Sequence, residues 1–191
     1  MKHALALVAL AGALVLTGCD SSGVPSPAER LEGKTGETPV AANAVELQGE
    51  GFAAGTEAFY FAAGQKEVEA ALAKTLGTAV RSGSNPECGA GPISFTDFPA
   101  GLTVHFQEGR LVGWNWHLGQ DGDTPASGTV KLAGAVQLGS PREVASTAPG
   151  YAPVEGSTLG EEFALGTKIG GFVSKDGEVE MLYAGTQCFF R

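Results

Sequence analysis

The chain has 191 residues, a formal net charge of −9, 43% hydrophobic and 17% charged residues. That length holds one ordinary domain or two very small ones, and excludes a TIM barrel or a two-domain dehydrogenase. Basic residues number 12 against 21 acidic ones, and no Lys or Arg run exists to displace counterions, so nucleic acid and anionic lipid heads are poor partners.

Residues 1–18 read MKHALALVALAGALVLTG. Lys2 and His3 precede an apolar run from Ala4 to Leu16. This is the pattern of a secretory signal, and it is short for a membrane span. The next tetrapeptide, Leu16-Thr17-Gly18-Cys19, resembles the lipobox of bacterial lipoproteins. The resemblance implies cleavage before Cys19, lipidation of its thiol and acylation of its new amine. Each buried methylene contributes roughly 0.8 kcal/mol, so several acyl chains anchor a protein firmly. The expected location is the cell envelope, on a membrane surface facing the periplasm or the exterior. Asp20 resembles the inner-membrane retention signal of enteric bacteria; inner versus outer membrane stays open.

Residues 20–46 are rich in Ser, Pro, Gly, Thr and charges and show no period. With Cys19 they predict a disordered tether over 19–46, whose r.m.s. span is roughly 30 Å. A folded part is predicted over 47–191. Gly49-Glu50-Gly51 is followed by Gly55, one residue late for a dinucleotide loop, so no nucleotide cofactor is implied.

A helix opens near Gly64, with Val68, Ala71, Leu72 and Leu76 on one face and Gly77 as its stop. A second opens at Ser140-Pro141-Arg142-Glu143. There Ser140 reads as N-cap, Pro141 as N1 and Glu143 as N3 of a capping box, and Pro149-Gly150 ends it. Each helix is followed by a hairpin signal. Residues 101–106 turn at Gln107-Glu108-Gly109 and return over 110–116, pairing Phe106 with Arg110, Val104 with Val112 and Leu102 with Trp114. Residues 168–174 turn at Lys175-Asp176-Gly177 and return over 178–183, with Val173 and Gly171 facing Val179 and Met181.

The expected fold class is therefore α+β. Two weakly similar helix-plus-antiparallel-hairpin units, roughly 47–125 and 126–191, form one sheet with helices packed on one face. This layout resembles small envelope lipoproteins of the outer-membrane assembly type (BamE-like) and the tandem-repeat β-lactamase inhibitory proteins. A closer likeness is to bacterial secreted proteins that combine a helix ending in Leu-Gly, a Cys-Gly-Ala-Gly-Pro stretch, a Gly-Leu-Thr strand and a Gly-Trp strand end. Here these are Leu76-Gly77, Cys88 to Pro92, Gly101 to Thr103 and Gly113-Trp114. That likeness supports the fold and implies no role.

With Cys19 lipidated, Cys88 and Cys188 remain. An even pair in an oxidising compartment reads as a disulfide, closing a loop of roughly 100 residues. The rival reading is a catalytic Cys88 assisted by His105 or His117, with no motif behind it. His105 points away from Val104 and Phe106 in the hairpin register. Two separated histidines without HxH or HExxH predict no metal site. Asp121-Gly122-Asp123 reads as a solvated turn rather than a Ca²⁺ loop, and no GxSxG elbow is present. Trp114 and Trp116 share one sheet face. They are core if that face is covered, and binding anchors together with His105 if it is not.

The expected role is a membrane-anchored, non-catalytic module that binds an envelope protein or polymer. The alternative is an envelope enzyme whose site gathers His105, His117 and a carboxylate. A structural lipoprotein without a specific ligand is the third reading.

Overall fold

Eight antiparallel strands make the larger of two sheets, in a computed structural model that describes residues 40–118 and 125–189. The signal stretch, Cys19, residues 20–39 of the tether and Asp121-Gly122-Asp123 lie outside the described residues. The large sheet contains β4 (Arg81–Asn85), β5 (Ile93–Phe98), β6 (Leu102–Gln107), β7 (Arg110–His117), β9 (Tyr151–Pro153), β10 (Glu161–Leu165), β11 (Ile169–Val173) and β12 (Val179–Gly185). Their order is β4-β5-β6-β7-β12-β11-β10-β9. It is symmetric about the β7–β12 seam. Helix α1 (Gln65–Leu76) precedes the first four strands, and helix α2 (Arg142–Ser146) precedes the second four.

The smaller sheet corrects the expectation of one sheet covered by helices. Strands β1 (Ala44–Gln48), β2 (Gly51–Ala54) and β3 (Glu57–Tyr60) form a meander, and β8 (Thr129–Leu132) pairs parallel with β1. The first described strand thus begins at Ala44. Val45, Leu47, Phe52, Ala54 and Phe59 are all buried. Their alternation is a period of 2, but it runs through strands of four or five residues broken by glycines, so it is faint in the sequence. The small sheet is needed as cover because α2 has five residues and buries only Ala145.

The first helix follows its pattern. Val68, Ala71, Leu72 and Leu76 face inward, and Gly77 ends the helix at φ 108°, a conformation costly for any residue with a Cβ. The second helix departs from its pattern. Its N-cap position is Pro141, with no side-chain cap, and the Ser140 hydroxyl accepts from the Gln137 amide at 2.9 Å instead.

Both hairpins carry a bulge that shifts the expected register. Gln107 pairs with Arg110 around a two-residue turn, and Phe106 faces Leu111. Val112 is then the extra residue, so Val104 faces Trp114 and Leu102 faces Trp116. The shift puts Leu111 inward in place of charged Arg110. In the second hairpin Val173 faces Val179 as expected, but Glu180 is bulged out, so Phe172 faces Met181 and Gly171 faces Leu182.

One hydrophobic core lies between the large sheet and the layer of α1 and the small sheet. Leu102, Val104, Phe106, Trp114 and Leu182 meet Leu47, Phe52, Val68 and Leu72 there. Trp114 is 0% exposed, and its indole N–H donates to the Gln48 and Gly51 carbonyls at 2.9 and 3.1 Å. Trp114→Ala is expected to lower the unfolding free energy by about 3–5 kcal/mol. Tyr60→Ala, at a side chain 59% exposed, is expected to change it by less than about 0.5 kcal/mol. Urea unfolding checks both, and equal midpoints for the two variants would refute the placement of Trp114.

Candidate functional site: the open face of the large sheet

Strand alternation sends a second set of side chains to the face opposite the core. The register arranges them in rows. One row runs Arg81, Asp97, Thr103, Asn115, Tyr183 and Gly170. A second runs Gly83, Phe95, His105, Gly113 and Gly185. A third runs His117, Met181, Phe172 and Glu162.

These rows interlock by hydrogen bonds. The Arg81 guanidinium pairs with Asp97 at 2.7 Å and lies over the Phe95 ring, 5.1 Å from its centroid. The Thr103 hydroxyl donates to the other Asp97 oxygen at 2.8 Å. The Asn115 amide lies 2.9 Å from His105 Nε2. The Tyr183 hydroxyl donates to buried Glu162 at 2.5 Å. The Tyr183 ring covers Gly170, where a Cβ would sit 2.2 Å from it. Phe172, Tyr183 and Phe189 pack ring against ring, with centroids 5.0 to 5.7 Å apart.

The C-terminal segment crosses this face. The Thr186 amide donates to the Val112 carbonyl, and the Gln187 side chain donates to the Trp114 and Ala184 carbonyls. Cys188 then joins Cys88, with Cα atoms 5.2 Å apart and 100 residues between them in sequence. That pairing leaves Cys88 no free thiol, which removes the nucleophile of the rival reading.

His105 lies on this face, as its register predicts, but it is only 7% exposed. Burial pushes its pKa down to about 4, against the opposing pull of Asp97. The ring is therefore neutral at pH 7. With the Asn115 amide donating to Nε2, the proton sits on Nδ1, which has no hydrogen-bond partner among the described residues. His117 is half-buried and bonds the Leu118 carbonyl through Nδ1 at 3.0 Å. His105 sits opposite Gly113, four residues from His117 on β7. That is about 13 Å along the strand. The two imidazoles share a face but not a site.

Trp114 and Trp116 lie on the covered face, 0% and 8% exposed. This corrects their candidacy as surface anchors. Both indole N–H groups are occupied by carbonyls, Trp116 by that of Ala100 at 2.9 Å. The half-buried side chains of the open face instead include Phe95, Asn115, His117, Met181 and Tyr183. Only Asn115 carried a local signal, as the i−2 neighbour of His117. Phe95, Met181 and Tyr183 lie across from His105, His117 and Asn115, so the β5–β6 and β7–β12 pairings were needed to read them. Among the described residues, no group of three or more His, Cys, Asp or Glu is placed to hold a metal ion. Compared with protein-family models, curated proteins and solved structures, the chain shows no significant match.

Two predictions follow from this geometry. His105 is harder to protonate when folded than when unfolded, where its pKa is about 6.5. Its contribution is thus fully present above about pH 6.5 and is lost as pH falls toward about 4, on the order of 3 kcal/mol in all. The slope of stability with pH in that window is expected to flatten in His105→Gln; an unchanged slope would place the proton uptake elsewhere. Reducing the Cys88–Cys188 bridge, with its loop of 100 residues, is expected to cost about 4 kcal/mol. Two free thiols by mass without reductant, and unchanged gel mobility with it, would refute the bridge.

Proposed function

We propose that this chain is a bacterial envelope lipoprotein, anchored through Cys19, whose folded part is a non-catalytic module that binds a protein or polymer on the open face of the large sheet. The observation that carries this reading is the asymmetry of that sheet. One face is consumed by the core, while the other presents half-buried Phe95, Asn115, His117, Met181 and Tyr183 across both halves. Aromatic, apolar and polar side chains held together on a rigid sheet are suited to docking, because they bury area with little loss of side-chain entropy. The seam symmetry of the strand order supports two related units, each a helix followed by four antiparallel strands. The binding surface then spans the junction between them.

The lipid anchor rests on the Leu16-Thr17-Gly18-Cys19 sequence. No helix among the described residues is long and apolar enough to cross a membrane. The enzyme alternative is less well supported, because it needs His105 and His117 at one point.

Cys19→Ser is expected to abolish palmitate labelling and release the chain from the membrane fraction; a labelled, membrane-bound variant would end the anchor reading. For the face, a photo-crosslinking residue at Asn115 in the full chain is expected to give a discrete adduct in cells. The same probe at Glu57, exposed on the small sheet, is expected to give none. Identical adduct patterns from both positions, or no adduct at Asn115, would count against the open face as the docking surface.

A further inference from the structure

We propose that a cleft at the His117 end of the open face binds an extended peptide segment carrying Lys or Arg beside an apolar residue. This rests on the binding-module reading and names the ligand chemistry of that surface. The cleft has a volume of about 610 Å³, within the range of roughly 300–1,000 Å³ of small-ligand sites.

Its floor is apolar and held rigidly. Phe172 and Met181 face each other across β11 and β12, and Phe189 stands edge-on to Phe172, held beside the Cys88–Cys188 bridge. Its walls include Leu118 and Leu159, 45% and 37% exposed. Only four large apolar side chains are exposed among the described residues, the others being Tyr60 and Val80. Two of the four therefore open onto this one cleft. Apolar surface gathered in a concavity marks a contact site, whereas single exposed residues do not.

The rim decides the occupant. The β11–β12 turn and the bulge at Glu180 place Asp176, Glu178 and Glu180 on the cleft, all exposed. None has an ion pair among the described residues, where the four pairs are Arg81–Asp97, Lys131–Glu46, Arg142–Glu161 and Lys168–Glu50. Lys175 lies in the same turn and lines the adjoining hollow, which Asp176 and Glu180 also border, but it forms no ion pair with any of the three. An acidic or neutral segment would leave three carboxylates uncompensated against it. A cationic side chain with an aliphatic or aromatic neighbour satisfies rim and floor together.

The test is titration of the full chain, purified in detergent, with two labelled peptides: acetyl-Leu-Lys-Phe-Lys-Leu-amide and its Glu counterpart, acetyl-Leu-Glu-Phe-Glu-Leu-amide. Saturable anisotropy change is expected with the basic peptide alone, weakening as ionic strength rises. The Glu178→Gln/Glu180→Gln double variant is expected to bind about fivefold more weakly. Leu159→Ser is expected to weaken binding about threefold with its salt dependence kept. All three substitutions lie at exposed positions, and near-identical thermal unfolding checks that the variants fold. Equal binding of both peptides, or wild-type affinity in the double variant, would overturn the assignment. No saturation with either peptide would overturn it too. In that case an adduct still formed from Asn115 would leave the open-face reading standing, and loss of the adduct would remove both.

Discussion

The pairing of β7 with β12 is the constraint on which the molecule depends. It joins two four-stranded halves into one sheet, and it places Trp114 opposite Ala184 at the centre of the core. Trp114 then reaches across to the small sheet through two hydrogen bonds to carbonyls of the β1–β2 region. A bulky ring in that position needs a small partner across the seam, and Ala184 is that partner. One residue along, Gly113 faces Gly185. A Cβ on Gly113 would sit 2.4 Å from the Thr186 carbonyl oxygen, so the chain leaves β12 over a position that only glycine can occupy.

The same seam organises the opposite face. Because Trp114 and Trp116 point inward, Gly113, Asn115 and His117 point outward, and β12 answers with Gly185, Tyr183 and Met181. The C-terminal segment crosses here and is bonded at Cys188 to the loop after β4. It ties the last strand to the first half of the chain. His105 is buried on this face as a neutral ring, with Asn115 as its partner. That arrangement suits a structural element of the sheet better than a proton carrier, since a charged imidazole there would lose more in hydration than the pull of Asp97 returns.

Chemical character varies along the face. The β4 end holds the Arg81–Asp97 pair and Phe95. The His117 end opens into an apolar cleft rimmed by carboxylates. An acidic rim on an acidic chain is consistent with a partner of opposite charge, attracted over some distance before contact. Under the proposed lipid anchor and binding role, tethering would raise the local concentration of the folded part near its partner, so modest affinity at such a cleft would suffice.

Some features were determined locally and could be read from the residues alone. Helix α1 was legible because twelve residues show the 3.6 period and a glycine stop together. The inward set Leu102, Val104 and Phe106, and the outward direction of His105, followed from strand alternation. The Cys88–Cys188 pairing followed from counting. The extra sheet, the two bulges and the fate of the tryptophans were decided only by tertiary structure. Strands β1 to β3 are too short to show a period without the surface they cover. A bulge moves register by one residue for reasons set by the partner strand, as when Val112 is looped out so that Leu111 rather than Arg110 enters the core. Whether a sheet face is core or surface depends on which layer folds over it, and residues distant in sequence supply that layer.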